Sequence, residues 1–448
     1  MKSVYGGQSC VHPYIEFAAS RLNLPIGVEP MIMPQRIRYV ALVFVCTLLP
    51  SLATGSEPTP QRLSEAGLEI RWNAQAVLNI NRDQVQHFSN DEELVYVQSS
   101  AGVLTAFNAE NGRKMWSNQL GLNDAHSMGV ASNKDTAVVI AGLYAFGVNK
   151  FTGDELFKYR LPNQPVTSPG IDASSFFVPM IDGSMGAFSI QTLSHLERYG
   201  KLPPGVVRAT AWRFVSGELS RFSPVVASDQ ISLCTEAGNI HALDNAGKSL
   251  YELLMRSAVS APLFHVTRDN EEMLLAATAD NRLFCIRLAK GAEIKWTYPM
   301  GEAITQPLLC FGDDIYVITD GGGMTSMSLK QGLPHRTGSK DWFVPSIRSV
   351  AAVTEHRVYA IDITDHLTVI DRKDGRLIDR IPVADYVHKI RNSVTDRIYM
   401  STASGSIICF AESGSGFARY HQNPDRQPVM PAIPEKDPAE SETGTENQ

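Results

Sequence analysis

Cysteine is scarce in this sequence, and the few that are present are not arranged for crosslinking. Of 6 cysteines among 448 residues, four follow residue 55, namely Cys234, Cys285, Cys310 and Cys409. They form neither an adjacent pair nor a CxxC motif, and each stands in an alternating apolar stretch such as RLFCIRL. We therefore expect buried free thiols, with one disulfide or a metal site as the alternatives.

Basic residues are fewer than acidic residues. The chain has 40 Lys and Arg against 47 Asp and Glu, which gives a formal net charge of -7. Nucleic-acid binding normally depends on clustered Lys and Arg, so this balance argues against a nucleic-acid partner. The hydrophobic fraction of 44% is nevertheless sufficient for a sizeable core.

No apolar run is long enough to span a bilayer comfortably. The run at residues 39–49 falls short of the roughly 20 residues that a spanning helix needs. Arg36 and Arg38 precede it and small residues around Ala53 follow it, as in a secretory signal peptide. We predict a cleaved signal at 33–55, with a retained anchor as the alternative, and an upstream extension outside the true protein at 1–32. The mature chain is then expected to be extracytoplasmic, monomeric and without a transmembrane span.

One sequence motif recurs along the chain and predicts the fold. The segment GVLTAFNAENGRKMW, residues 102–116, returns as GNIHALDNAGKSLY, NRLFCIRLAKGAEIKW and DHLTVIDRKDGRLI, with four fainter copies. Aligning the eight copies places equivalent residues at Leu104, Ala145, Met185, Ile240, Leu283, Met324, Leu367 and Ile407. The period is about 42 residues, interrupted once between Met185 and Ile240. A regular period of this length is typical of a repeat architecture.

Each repeat reads as four short antiparallel strands joined by turns, which is one blade of a propeller. We therefore predict an all-β, eight-bladed β-propeller over residues 66–412. The eighth copy lacks an apolar fourth strand after Phe410, and a strand-like segment precedes the first blade. Because an open propeller would leave unpaired edges, we expect Leu68, Ile70 and Trp72 to complete the last blade.

Glycines and aromatics recur at fixed places in the repeat. Tight turns that favour positive φ are predicted at Gly112, Gly153, Gly247, Gly291 and Gly375. A second set of turns contains Gly102, Gly183, Gly238 and Gly405. The aromatics that follow the first set are expected to pack between neighbouring blades; they are Trp116, Phe157, Tyr251 and Trp296.

These repeats resemble the PQQ-like repeat, best matched by GVLTAFNAENGRKMW, NIHALDNAGKS and FTGDELF. The resemblance implies a propeller fold, which builds both quinone-dependent dehydrogenases and non-enzymatic BamB-like propellers. The dehydrogenases often carry a vicinal disulfide and a Ca²⁺ site, and this sequence has no adjacent cysteines. The resemblance therefore implies the non-enzymatic branch, with no cofactor, and PQQ is not favoured.

Other candidate catalytic or metal-binding residues have a structural interpretation. Asp313 and Asp314, like Asp362 and Asp365, could offer oxygen ligands to Ca²⁺, but acidic residues beside strand ends are usually solvated turn residues. His241 and the other histidines form no HxH or HExxH pair. His366, inside a repeat strand, is likewise expected to be structural. We therefore predict no catalytic residues and no metal site.

The longest interval between repeats is the best candidate for partner binding. It contains Arg208, Trp212 and Arg213, and Trp and Arg are enriched in interface hot spots. The alternative is an ordinary insertion packed on the rim. The last segment, 421–448, is rich in Pro and acidic residues and lacks aromatics, so we expect it to be disordered.

Together these features predict an exported, non-catalytic propeller that binds a protein partner in the cell envelope. The BamB-like resemblance implies a role of the outer-membrane assembly type. One alternative is a quinone-dependent dehydrogenase. Another is an extracytoplasmic domain that senses a small ligand in the central channel.

Overall fold

Eight four-stranded antiparallel sheets make up nearly all of the described chain, together with two helices. The computed structural model describes residues 58–121, 127–199, 210–289, 291–338, 340–422 and 424–428. The sheets are the blades of a β-propeller, which confirms the fold predicted from the period of the repeats. The predicted extension and signal peptide lie outside the described residues.

Each of blades 1 to 7 is an antiparallel meander, and in all of them except blade 6 the four strands are consecutive in the chain. The first helix and strand, which precede blade 1, are α1 (Pro60–Glu65) and β1 (Leu68–Gln75). Blades 1 and 2 contain β2 (Val85–Asn90), β3 (Leu94–Ser99), β4 (Val103–Asn108), β5 (Lys114–Gln119), β6 (Ala131–Ser132), β7 (Thr136–Ala141), β8 (Tyr144–Asn149) and β9 (Glu155–Arg160). Blades 3 and 4 contain β10 (Gly170–Ile171), β11 (Ser175–Pro179), β12 (Ser184–Ser189), α2 (Ile190–Arg198), β13 (Thr210–Val215), β14 (Val225–Val226), β15 (Ile231–Cys234), β16 (Asn239–Leu243) and β17 (Ser249–Leu254).

The second half of the ring repeats this pattern with one addition. Blades 5 and 6 contain β18 (Phe264–Arg268), β19 (Glu271–Thr278), β20 (Arg282–Arg287), β21 (Glu293–Pro299), β22 (Leu309–Phe311), β23 (Asp314–Thr319), β24 (Gly323–Ser328) and β27 (Phe343–Pro345). A small hairpin of β25 (Arg336–Thr337) and β26 (Lys340–Asp341) is inserted before β27. Blades 7 and 8 contain β28 (Ile347–Val353), β29 (Arg357–Asp362), β30 (His366–Asp371), β31 (Leu377–Pro382), β32 (His388–Lys389), β33 (Ile398–Ser401) and β34 (Ser406–Glu412).

The first strand of each blade lies nearest the axis of the ring. First strands of neighbouring blades contact one another, as β6 and β14 both contact β10. The fourth strands are at the rim, where β13 alternates between half-buried and exposed residues. The first strands therefore line the central channel. The turns after the first and third strands share one face of the ring, because consecutive antiparallel strands reverse direction.

The apolar core lies in the layers between adjacent blades. The layer between blades 1 and 2, for example, joins Leu94 and Tyr96 to Ala137 and Val139. All six residues of β7 are buried, because a second strand is covered by another blade on each face. This double burial explains why the second strands read as nearly continuous apolar runs in the sequence.

The N-terminal strand closes the ring as predicted. β1 pairs antiparallel with β34 and completes the sheet of blade 8. Leu68, Ile70 and Trp72 lie opposite Glu412, Phe410 and Cys409. Helix α1 begins at the N-cap Thr59 and buries Leu63 completely between blades 7 and 8. Nη1 of Arg62 in the same helix lies 2.8 Å from Oδ2 of Asp379, which fastens the helix to β31.

All five tryptophans make the same contact between blades. Each indole Nε1 donates a hydrogen bond to a backbone carbonyl in the turn between the third and fourth strands of the next blade. The pairs are Trp72 to Ala109, Trp116 to Lys150, Trp212 to Asn245, Trp296 to Leu329 and Trp342 to Arg372, at 2.8–3.2 Å. Phe157 replaces tryptophan in blade 2 and stacks on Phe176 of blade 3, with ring centroids 5.7 Å apart. These contacts confirm the inter-blade packing predicted for Trp116, Phe157 and Trp296.

A glycine in the turn lets each indole approach the backbone. At Gly153 φ is +79°, and an added Cβ would lie 2.7 Å from Cγ of Trp116. Positive φ is also found at most other predicted positions: Gly102, Gly112, Gly183, Gly238, Gly247, Gly375 and Gly405.

The turn at Gly291 stays a prediction, because residue 290 before it lies outside the described residues. Apart from its chain neighbours, no described residue places an atom within 4 Å of a Cβ added at Gly291. In the preceding blade, blade 4, Tyr251 occupies the position that tryptophan has in other blades. Its hydroxyl accepts a hydrogen bond from Gln230 of the same blade. Without an indole lying over the turn, no close approach demands a left-handed glycine there.

The four cysteines of the described residues are free and buried. Burial raises the pKa of Cys234 to about 12. They are therefore unreactive core residues, as the alternating apolar context predicted.

Candidate binding site at the mouth of the central channel

A basin of about 810 Å³, lined by both polar and apolar residues, opens at one mouth of the central channel. It is built mainly from the first strands and adjoining turns of blades 1 to 4. Its wall contains residues 90–93, 130–134, 169–171, Pro224 and Val226, with Lys150, Val394 and Arg426. The site thus combines a charged rim in blade 1 with apolar walls in blades 2 to 4.

The rim is organised by a buried lysine. Lys150, only 3% exposed, places its Nζ 2.9 Å from Oδ2 of Asp91 and 2.8 Å from Oε2 of Glu93. Asp91 also accepts hydrogen bonds from the hydroxyls of Tyr96, at 3.0 Å, and Ser132, at 2.6 Å. Burial lowers the pKa of Lys150, but the two carboxylates outweigh it and the net shift is upward. Lys150 therefore stays charged and holds the acidic turn in one conformation.

The C-terminal strap, defined as residues 413–422 and 424–428, leaves blade 8 and is anchored first beside β33. Arg397 is almost fully buried, and its Nη2 donates to the carbonyl of Gly416 at 2.5 Å. Tyr420 is completely buried and forms a β-bridge with Thr395. The strap is therefore packed onto blade 8.

The strap then crosses the channel mouth. The ring of His421 lies 4.7 Å from that of Phe311 in blade 6, edge to face. Its Nδ1 lies 3.0 Å from the carbonyl oxygen of Ser393, and its Nε2 lies 3.1 Å from that of Val353. Burial lowers the pKa of His421 to about 4, although both carbonyls favour the protonated ring. The neutral imidazole is therefore a packing group at neutral pH.

Arg426 brings the strap to the rim of blade 1. Its two terminal nitrogens each lie 2.5 Å from a carboxylate oxygen, one of Glu92 and one of Glu93. Its guanidinium also lies 5.6 Å from the ring centroid of Tyr420. The segment predicted to be disordered from His421 onward thus begins with residues that contact the propeller. These specific contacts were not visible in its composition, and residues 429–448 lie outside the described part.

Two of the three residues predicted to form an interaction loop lie in a strand instead. Trp212 and Arg213 lie in the rim strand β13 rather than in a loop, and Arg208 lies outside the described residues. Trp212 stacks on Phe177 at 5.6 Å and makes the inter-blade contact described above. Arg213 pairs with Asp182. Part of the extra chain between repeats forms α2, which begins at the N-cap Ser189.

The aspartates considered for Ca²⁺ all have protein partners. Asp313 pairs with Arg268 at 2.9 Å and Asp314 with Arg372 at 2.8 Å. Asp365 accepts from Arg348 at 2.6 Å and from Lys389 at 3.1 Å.

Asp362 is almost fully buried. Burial raises its pKa, but hydrogen bonds from Arg380, the His366 amide and Thr364 outweigh burial and lower the pKa to about 2. This carboxylate is thus an anchor for the turn that follows β29.

The two histidines also make structural contacts. His241 packs against Phe214, with ring centroids 5.3 Å apart. His366 places its Nδ1 2.9 Å from the Thr364 hydroxyl. Across the described ranges, no group of three or more His, Cys, Asp or Glu side chains is placed to hold a metal ion. Neither described helix is long and apolar enough to cross a membrane.

The sequence analysis missed Lys150 and the acidic turn of residues 91–93. Acidic residues in a turn between strands are commonplace, so nothing local distinguished this turn. The available signal was the lysine itself, because the equivalent position in blade 1 is Ala109, whose carbonyl likewise accepts from a tryptophan.

Comparisons with known proteins agree with this architecture. No curated protein matches the sequence significantly. Among solved structures, BamB from Moraxella catarrhalis is similar with a TM-score of 0.58 and 14% identity, over 78% of this chain and 99% of that one. The computationally designed protein Ika8 is similar with a TM-score of 0.57 and 11% identity, over 76% and 99%. At these identities the likeness shows the fold alone.

A family model covers most of the chain. The model described as outer membrane protein assembly factor BamB matches residues 63–147, 100–333 and 255–437. These overlapping matches take in every blade of the ring and the strand that closes it. The chain therefore belongs to the family of the outer membrane protein assembly factor BamB.

Proposed function

We propose that this protein is an exported, non-catalytic scaffold that binds a protein partner in the cell envelope. The observation that carries the proposal is the basin at the channel mouth, a preformed concave surface on a closed ring. Membership of a family named for outer-membrane protein assembly supports a role of that type. Ligand and partner sites are commonly preformed concave surfaces on rigid frames.

The lining of the basin indicates what kind of partner segment it fits. Pro169, Ile171 and Val226 present apolar surface in blades 3 and 4, and Glu92 and Glu93 supply negative charge at the opposite rim. An extended segment with apolar side chains and a basic residue would complement both. Arg426 of the strap already pairs with these two glutamates, so a basic residue of the partner would take the place of Arg426 at this rim.

Site-specific photocrosslinking in living cells tests this face. Lys134 is an exposed basin residue in the turn after the first strand of blade 2. A photoreactive residue there should capture one partner reproducibly. The matched control is Ala237, exposed in the turn after the second strand of blade 4 and therefore on the other face. Equal capture from both positions, or capture from 237 alone, would refute the proposed face.

Export is a separate part of the proposal with its own test. It is supported by the basic start and short apolar run of residues 33–55. Mass spectrometry of the purified mature protein should find its N-terminus shortly after Ala53, and fractionation should place it outside the cytoplasm. A mature chain that retains residues 33–55 and remains cytoplasmic would contradict export.

A further inference from the structure

The wall of the central channel differs in charge from the rest of the protein. The eight innermost strands contain no Asp or Glu, although the whole chain carries a net charge of -7. They do contain Arg268, Arg348 and Lys389. The channel wall therefore carries cations whose counterions must come from elsewhere.

Those three cations are neutralised by turn residues. Arg268 pairs with Asp313 at 2.9 Å. Arg348 and Lys389 share Asp365, at 2.6 and 3.1 Å. Each ion pair thus joins an innermost strand to an aspartate in a turn.

Among the described residues, Arg391, two residues beyond β32, has no such counterion. Its Nη2 donates to Oε1 of Gln306 at 3.0 Å, and its buried Nε has no hydrogen-bond partner among the described residues. Burial lowers the pKa of Arg391 to about 10, and no carboxylate in the described part of the chain opposes it. Arg391 is half-buried, and a cation that is partly removed from water without a counterion is costly to the fold.

The bond between Arg391 and Gln306 places both side chains in the channel. Arg391 follows the first strand of blade 8, and Gln306 precedes the first strand of blade 6. Blade 7 stands between them, so a direct contact must pass on the axial side of its first strand, β28. The guanidinium and the amide thus lie together inside the ring.

We propose that Arg391 and Gln306 form a binding site for a carboxylate in the central channel. The unpaired Nε–H of Arg391 and the amide NH₂ of Gln306 are both donors, since the Gln306 carbonyl oxygen is already engaged. Two donors beside one positive charge match the two oxygens and single charge of a carboxylate. A phosphate dianion would call for a second cation, and chloride has only one atom to offer to two donors.

The carboxylate has two possible sources, a small acid or the C-terminus of a peptide chain. Saturation-transfer NMR on the full protein tests binding with three probes at constant pH and ionic strength: sodium acetate, a short peptide with a free C-terminus and the same peptide as its amide. Acetate is expected to bind the wild type. If the peptide binds as the free acid but not as the amide, the source is a chain terminus. If acetate binds and neither peptide does, the source is a small acid.

Variants connect the binding to the named residues. In Arg391→Gln the dissociation constant of acetate should rise at least tenfold, because the charge is lost while an amide remains. Arg348→Gln is the matched control, since it removes an innermost-strand cation that already has a counterion, and should leave acetate binding unchanged. Thermal unfolding adds a readout of the fold: acetate should raise the Tm of the wild type, relative to chloride, but not that of Arg391→Gln.

The proposal is overturned by any of three results. They are no acetate binding by the folded wild type, undiminished binding by Arg391→Gln with an intact fold, and phosphate or chloride binding as tightly as acetate. If Arg391→Gln fails to fold, Gln306→Leu serves instead, because it removes the amide donor and leaves the cation. It should also weaken acetate binding, and unchanged binding there would overturn the site.

Discussion

The contact between Trp116 and Gly153 makes a strong quantitative prediction about the seams between blades. Gly153→Ala should destabilise the protein in two ways. At φ +79° an alanine costs about 1–2 kcal/mol of backbone strain. Its Cβ would also lie 2.7 Å from Trp116 Cγ, and overpacking of this kind costs about 1–3 kcal/mol.

A double-mutant cycle separates these two costs. Trp116→Ala alone should cost about 3–5 kcal/mol, as for other buried tryptophans. In that background the clash is gone, so Gly153→Ala should cost only the strain of about 1–2 kcal/mol. The two changes should therefore be non-additive, with a coupling equal to the overpacking cost. Urea unfolding followed by far-UV circular dichroism measures all four free energies without relying on tryptophan fluorescence.

Gly142 supplies the matched control. Its φ is +59°, and apart from its chain neighbours no described residue places an atom within 4 Å of its added Cβ. Gly142→Ala should therefore show the strain without the clash, and its cost should be the same with or without Trp116. Additive costs for Gly153→Ala and Trp116→Ala, within about 0.5 kcal/mol, would refute the described seam.

Two further predictions concern buried polar groups. The depressed pKa of Asp362, about 2 against an ordinary value near 3.9, contributes about 2 kcal/mol of stability that is fully present above pH 4 and is lost as the pH falls toward 2. Asp362→Asn should therefore be less stable than the wild type at pH 7, with a gap that closes at low pH; urea titrations at pH 7, 4 and 2.5 measure it, and a constant gap would contradict the assignment. Gln98 in β3 is 1% exposed, and neither of its amide atoms has a hydrogen-bond partner among the described residues. Gln98→Leu should consequently raise the free energy of unfolding by about 1–3 kcal/mol, and a lower stability in the same urea assay would show that the amide is satisfied.

The architecture was predictable because its sequence signals are local and recur in each of the eight repeats. The alternation, turn glycines and terminal aromatic of each repeat predict a four-stranded sheet, and eight copies predict a ring. The missing strand of the last blade and the apolar segment at Leu68–Trp72 predicted the closure. These signals depend on neighbours in sequence, which a single chain displays directly.

The site was less accessible to sequence reasoning because it joins distant residues. Lys150 of blade 2 pairs with Glu93 of the neighbouring blade 1, and Arg426, near the C-terminal end of the described chain, pairs with Glu92. Arg391 is unusual because its described neighbours in space include no carboxylate, which no local pattern reveals. Trp212 was misplaced for the same reason, since the extra chain before it hid its equivalence to Trp116.

The closure of the ring by β1 is the claim on which the whole account depends, and an engineered disulfide tests it. Gln75 lies opposite Ser406, and the Ala76 amide donates to the Gly405 carbonyl in the next pair. The Gln75 and Ser406 pair is therefore non-hydrogen-bonded, with Cα atoms about 4.5 Å apart, a separation that a disulfide can bridge.

The measurement is peptide mapping of the oxidised double variant Gln75→Cys, Ser406→Cys by mass spectrometry. The account predicts a 75–406 disulfide in nearly every molecule and a gain of about 2–4 kcal/mol in stability. The control pair, Ala74→Cys with Ser406→Cys, is shifted by one residue and points its thiols to opposite faces, so it should remain reduced. Failure of the 75–406 bond to form, or equal crosslinking in the shifted pair, would contradict the closed ring.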